Sequence, residues 1–169
     1  MKKVLCILLC LSFFFLLAGC VKSQPSELPD EGNFHYVKKE LTYHTSDGFI
    51  DSEKRDIENY STDDLKYVLN TYLAGPENDE LMSPFPNGTV VKDITHKNSI
   101  FSITLSDQFS ELTGYDLSVA CACLTLTVSE FVDAKLVQIS AENTKLGGNQ
   151  RISMNTDRIL LIDSLNLIP

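Results

Sequence analysis

The sequence predicts an α+β domain, a small two-layer sandwich in which two helices pack on one face of a mixed sheet in the order βαββαβ. Three observations carry this expectation. Leu65, Val68, Leu69, Tyr72 and Leu73 repeat at the spacing of one buried helical face. Phe101, Ile103 and Leu105 alternate with Ser102 and Thr104, as on a half-buried strand. Leu117, Cys121, Leu124, Val128 and Phe131 again have helical spacing. A striped helix and a one-faced strand each leave apolar surface in water, and packing them together removes both.

The elements follow in chain order. Residues 34–44 are rich in β formers (Tyr36, Val37, Leu41, Tyr43), and the strand is expected most firmly over Glu40–His44. Asp47-Gly48 is a turn signal, and Phe49–Ile57 reads as irregular chain with a short extended piece. Ser61 is a natural N-cap for the first helix, with Asp63 and Asp64 favouring its positive end. Gly75 and Pro76 stop that helix, the one by a left-handed turn and the other by lacking an N–H. Ser83–Thr89 is a loop by its prolines and Gly88. Val90–Thr95 and Ile100–Leu105 read as a hairpin about Lys97-Asn98. Asp116 or Ser118 opens a segment to Phe131 that periodicity favours as helix, although Val119–Val128 also tolerates a strand. Lys135–Ser140 is a further strand, and Gly147-Gly148-Asn149 a turn. Arg151–Leu165 is expected to add one or two strands, the stronger over Arg158–Ile162.

Upstream of the domain, Lys2 and Lys3 precede an apolar run from Val4 to Leu17 broken only by Ser12. Fourteen residues are too few to cross a bilayer with ease and suit the apolar region of a secretory signal. The run ends in Leu17-Ala18-Gly19-Cys20, which resembles the bacterial lipobox. That resemblance implies cleavage after residue 19, with Leu17, Ala18 and Gly19 recognised by the peptidase and Cys20 carrying the lipid. Each buried methylene contributes about 0.8 kcal/mol, so two acyl chains hold a small domain at a membrane. The expected organisation is a signal over residues 1–19, a lipidated cysteine and tether over 20–33, and one domain with a C-terminal extension over 34–169. The tether carries Pro25, Pro29 and Gly32 and spans roughly 20 Å as coil. The expected location is the extracytoplasmic face of the cell membrane.

Charge and cysteines narrow the function. Without Lys2 and Lys3 the chain holds 12 basic against 23 acidic residues, a net charge of −11. Such a surface is repelled by nucleic acid. Cys6 and Cys10 leave with the signal and Cys20 is modified, so Cys121 and Cys123 alone remain, too few for a disulfide framework. On a helix their side chains point roughly 200° apart. The expected role of Cys121 is that of a small core side chain.

Two further phrases bear on family. Leu69-Asn70-Thr71-Tyr72-Leu73-Ala74-Gly75-Pro76 leads to Leu81-Met82-Ser83-Pro84-Phe85-Pro86-Asn87-Gly88-Thr89. Together these resemble the GerMN domain of sporulation and spore-germination proteins, a helix ending in Leu-Ala-Gly-Pro and then a Ser-Pro-x-Pro-x-Gly-Thr loop. The similarity runs from about Glu40 to Thr144 and includes Ile103–Phe109 and Leu124–Glu142. It implies that Val119–Val128 is helical. It also implies a membrane-tethered protein acting through protein–protein contacts or self-association at the cell envelope, in a manner like ring-building modules, with no catalysis and no cofactor.

The remaining chemistry-bearing residues give no competing pattern. His35, His44 and His96 are scattered and read as surface histidines, with no metal-ligand spacing. Glu77, Asp79 and Glu80 read as a solvated loop. No Gly-x-Ser-x-Gly elbow occurs. The candidate interaction loop is Pro84, Phe85, Pro86 and Gly88, with Phe85 either an exposed anchor or a core-edge plug. The alternative function is binding of a small ligand or glycan, for which Tyr43, Tyr60, Tyr67 and Tyr72 are the available stacking surfaces.

Overall fold

In the computed structural model, residues 31–39, 49–57 and 64–159 are described. The strands are β1 (Glu31–Lys38), β2 (Ile50–Asp56), β3 (Leu81–Met82), β4 (Val91–Lys97), β5 (Ile100–Leu105), β6 (Leu136–Ala141) and β7 (Ile152–Asn155). The helices are α1 (Leu65–Leu73) and α2 (Gly114–Phe131), with a 3₁₀ turn at Asp107–Glu111. The α+β class holds. The strands, however, divide between an antiparallel sheet in the order β2-β1-β3 and a mixed sheet in the order β4-β5-β6-β7.

The mixed sheet follows from apolar alternation. Phe101, Ile103 and Leu105 of β5 lie beside Val137, Ile139 and Ala141 of β6 in parallel register, and all six are buried. The outer face is polar: Thr104 and Ser140 share a hydrogen bond at 3.2 Å. The β4–β5 hairpin turns at Asn98 and Ser99, one residue beyond the expected Lys97-Asn98. Both turn residues have positive φ, 51° and 60°, as a two-residue hairpin of matching twist requires.

α2 packs against β1 of one sheet and β6 and β7 of the other. Its residues from Leu117 to Thr125 are all buried, as expected of a helix covered all round. This resolves the periodicity of 119–128 as helix. The whole predicted stripe of α1, Leu65, Val68, Leu69, Tyr72 and Leu73, is buried. The helix ends at Gly75 with φ +117°. Asp64 flanks its start without a side-chain cap, and Ser61 and Asp63 lie outside the described residues.

Three expectations shift at the N-terminal side. β1 begins at Glu31, three residues inside the expected tether, because Glu31–Asn33 pair with Lys54–Asp56 of β2. Gly32 suits that position: a Cβ there would overlap the Phe131 ring at the end of α2. Residues 50–56 form a full strand where irregular chain with only a short extended piece was expected, because their polar sequence carries an edge strand with little apolar alternation. The Glu40–His44 strand and the Asp47-Gly48 turn lie outside the described residues.

Six rings connect the parts into one core. Phe34 contacts Phe131 and Tyr72, Tyr72 contacts Tyr36 and Phe85, and Phe85 contacts Phe109, at centroid separations of 4.9 to 6.2 Å.

Candidate interaction surface

The Pro-rich loop is held from both sides. Phe85 N–H donates to Ser83 Oγ at 3.2 Å, and Thr89 N–H donates to the Pro86 carbonyl at 3.1 Å. Gly88 takes the left-handed conformation the turn needs, with φ +82°. Ser106 then links the loop to the end of β5, accepting from Val90 N–H at 3.0 Å. Phe85 is only 6 % exposed and meets Tyr72 edge-on at 5.2 Å. Of the two roles open to it, the structure gives the core-edge plug. Pro84, half-buried, instead borders an apolar groove of about 460 Å³.

That groove gathers residues distant in sequence: Val37 from β1, Phe49, Met82 from β3, Pro84, Leu112 and Tyr115 from the start of α2. Met82 is 49 % exposed and Tyr115 37 %. Phe49 and Tyr115 face each other with centroids 5.9 Å apart, and Asp116 stands at the rim. Tyr115 escaped the sequence reading because it belongs to no motif, and Met82 was read only as part of the Leu81–Thr89 phrase, with no sign that its side chain stays exposed. Only the fold brings a two-residue strand next to a helix start.

The ionisable groups serve the scaffold. Arg55 is buried, and its guanidinium faces the rings of Phe34 and Tyr36. It donates to Glu53, to Tyr36 Oη at 3.2 Å, and to the carbonyls of Gly75 at 2.6 Å and Thr71 at 3.4 Å. The last two are carbonyls at the end of α1, where a cation is favoured. Glu53 in turn accepts from Glu77 N–H at 3.0 Å and Asn78 N–H at 2.8 Å. Burial pushes the Glu53 carboxyl up, but those two amides and Arg55 outweigh it and hold it below its ordinary value.

His35 departs from the expected surface histidine. It is half-buried, with Nδ1 enclosed and without a hydrogen-bond partner, while its backbone N–H donates to Thr127 Oγ of α2 at 2.9 Å. Burial lowers its pKa, against the opposing pull of Glu130 and Asp51. His96 is exposed, and His44 lies outside the described residues. Cys121 and Cys123 are both free and buried, and burial pushes each thiol up to about 12. They are core side chains in the protonated form. Tyr72 is in the core and Tyr67 exposed, while Tyr43 and Tyr60 lie outside the described residues, as do Leu17, Ala18, Gly19 and Cys20. Among the described residues, no group of three or more His, Cys, Asp or Glu side chains is placed to hold a metal ion, and no helix is long and apolar enough to cross a membrane.

Residues 37–147 match the Germane family, described as sporulation and spore germination. The chain belongs to the Germane family. Two solved structures share the Germane fold of this chain. The tandem GerMN domains of the sporulation protein GerM from Bacillus subtilis align over 75 % of this chain at 15 % identity, with a TM-score of 0.56. The first GerMN domain of the same protein aligns over 71 % of this chain and 90 % of its own length, again at 15 % identity, with a TM-score of 0.54. This chain spans 45 % of the tandem structure. No curated protein matches the sequence. The Germane match includes the Pro-rich loop and all of α2, and it ends before β7.

Proposed function

We propose that this chain is a lipid-anchored, noncatalytic assembly module of the cell envelope, working in sporulation or germination through a protein partner. Family membership carries the sporulation part of the reading. The observation that carries the contact is the groove beneath Met82 and Tyr115, where two large apolar side chains stay in water on an otherwise acidic domain. Asp116 at the rim and the net negative charge favour a partner that offers an apolar side chain flanked by a basic residue. The anchor rests on the residues around Cys20.

The test joins location to contact. Photo-crosslinkers placed at Met82 and Tyr115 in sporulating cells are expected to trap one defined envelope protein, and Tyr115→Asp is expected to abolish that product. Unchanged trapping in the variant, or no product at either position, would remove the support for this surface. Cys20→Ser is expected to stop incorporation of labelled lipid. Normal labelling of that variant would refute the anchor.

A further inference from the structure

The glycine that lets the Pro-rich loop turn also bares the asparagine before it. Asn87 is the only asparagine of the chain followed by glycine. Asn87 and Gly88 are both exposed, and a Cβ on Gly88 would meet nothing within 4 Å. With no side chain of its own, Gly88 leaves its backbone nitrogen open to approach. That nitrogen and Asn87 Cγ are the two ends of a potential five-membered ring.

The other described asparagines are held or screened. Asn33 Nδ2 donates to Glu130 at 3.1 Å, Asn70 Nδ2 to the Lys66 carbonyl at 2.9 Å, and Asn143 Nδ2 to Asp107 at 2.9 Å. Asn78 Oδ1 accepts from Glu80 N–H at 2.9 Å, and Asn155 Oδ1 from Asp157 N–H at 2.8 Å. Asn98 and Asn149 precede Ser99 and Gln150, whose side chains crowd the following nitrogen. Among the described residues, none hydrogen-bonds to the Asn87 side chain.

The turn leaves room for the ring to close. Thr89 N–H and Thr89 Oγ both donate to the Pro86 carbonyl, at 3.1 and 2.8 Å, and Gly88 with φ +82° takes the third position of a type II turn. Rotating the peptide between Asn87 and Gly88 converts type II to type I and keeps the Pro86–Thr89 bond. Glycine makes that rotation with no side chain to sweep aside.

We propose that Asn87 is a deamidation site of the folded protein, converted through a succinimide to aspartate and isoaspartate. Solvent hydroxide takes the proton of Gly88 N–H, and the nitrogen's electron pair forms a bond to Asn87 Cγ. The Cγ–Nδ2 bond breaks, and Nδ2 takes a proton from water and leaves as ammonia. Water then opens the ring. Opening at Cγ gives aspartate, whereas opening at the main-chain carbonyl leaves the chain running through Cβ and Cγ as isoaspartate. Nothing is oxidised or reduced, and water is the only co-reactant.

Both products add a negative charge, and isoaspartate also lengthens the main chain by a methylene. A four-residue turn closed on one carbonyl has no slack for that atom, so buried Thr89 loses its hold on Pro86. Phe85 in the core and Pro84 at the groove belong to the same loop. The inference is independent of the assembly reading, which stands or falls on the Met82 and Tyr115 surface.

Ageing the full-length chain in mildly alkaline buffer tests this, with the mass gain of an amide turned acid located by peptide fragmentation. The gain is expected at Asn87 before any other described asparagine, and Asn87→Gln is expected to abolish it while leaving the fold intact. Mass is the right readout because isomerisation at Asp47-Gly48 would produce isoaspartate without it. Equal or earlier conversion of Asn98 or Asn149 would overturn the assignment. So would an Asn87 that stays intact in the folded chain while converting in urea, since the turn would then protect it. Thermal denaturation separates length from charge: the aged protein is expected to melt below unaged Asn87→Asp, and equal melting of the two would remove the effect on the turn.

Discussion

Between β5 and β6 the inward side chains are Phe101, Ile103, Leu105, Val137, Ile139 and Ala141, while beside β1 the same depth of burial is given to a guanidinium. The mixed sheet loses little by being dry, because its buried side chains carry no polar atoms to satisfy. The three-stranded sheet has a polar edge strand, β2, and gains its hold from Arg55, whose donors reach Glu53, Tyr36 and the carbonyls that end α1. One half is fixed by area and the other by geometry. The first should tolerate small changes of shape, and the second should fail when a single partner is lost.

The largest effects test that contrast directly. Phe101→Ala empties part of the mixed core and is expected to cost about 3–5 kcal/mol, read from urea denaturation. Arg55→Ala is expected to cost a similar amount, about 3–5 kcal/mol, because Glu53 would stay buried without its cation. The two differ in their rescue. Glu53→Gln in the Arg55→Ala background should recover part of the loss by removing the stranded charge, whereas no charge change near β5 can restore Phe101. If Glu53→Gln only adds to the damage, the ion pair does not govern this half.

Gly32 tests the seam between the halves, since Phe131 at the end of α2 covers β1 there. Gly32→Ala is expected to destabilise by about 1–3 kcal/mol through overpacking. Phe131→Ala alone should also destabilise, but the double variant should cost less than the sum, and simple additivity would mean that the close approach carries no strain.

This contrast also explains what the sequence revealed. The stripe of α1, the alternation of β5 and the stop at Gly75-Pro76 were legible because area-driven burial leaves a period in the chain. The strand character of Ile50–Asp56 was not, since Ile-Asp-Ser-Glu-Lys-Arg-Asp has no apolar period and its place depends on pairing with β1. The division into two sheets was hidden for a related reason: strand periodicity reports a buried face but not which sheet shares it. The Pro-rich loop was readable as a loop, while the inward turn of Phe85 depends on Tyr72 and Phe109, which lie elsewhere in the sequence.

Acid should separate the halves by smaller amounts. The His35 pKa is lowered in the folded protein, so the unfolded chain takes up the proton first, and stability is expected to fall as the pH drops below about 6.5. Glu53, also lowered, contributes stability above its unfolded value that is lost as the pH falls through the range below 4.5. Both groups lie on the three-stranded side. Denaturation measured against pH should therefore show His35→Asn removing the decline that begins near neutrality and leaving the acidic one. A His35→Asn profile with both declines intact would exclude the imidazole as their source. The smallest expected signal comes from α2: Cys121 and Cys123, buried with thiols near 12, should resist iodoacetamide at pH 8 in the native protein and react only after unfolding, as followed by mass spectrometry.

The parallel pairing of β5 with β6 has a consequence in time. Ile103 and Ile139 are neighbours in space, yet the 3₁₀ turn and all of α2 intervene between their strands. The β4–β5 hairpin needs only a two-residue turn, and hairpins close within microseconds. The other side of β5 must wait for a distant stretch of chain to arrive, and such non-local pairings are slow to form. During that wait β5 carries a bare backbone edge, the kind of edge that offers its hydrogen bonds to a strand from another chain.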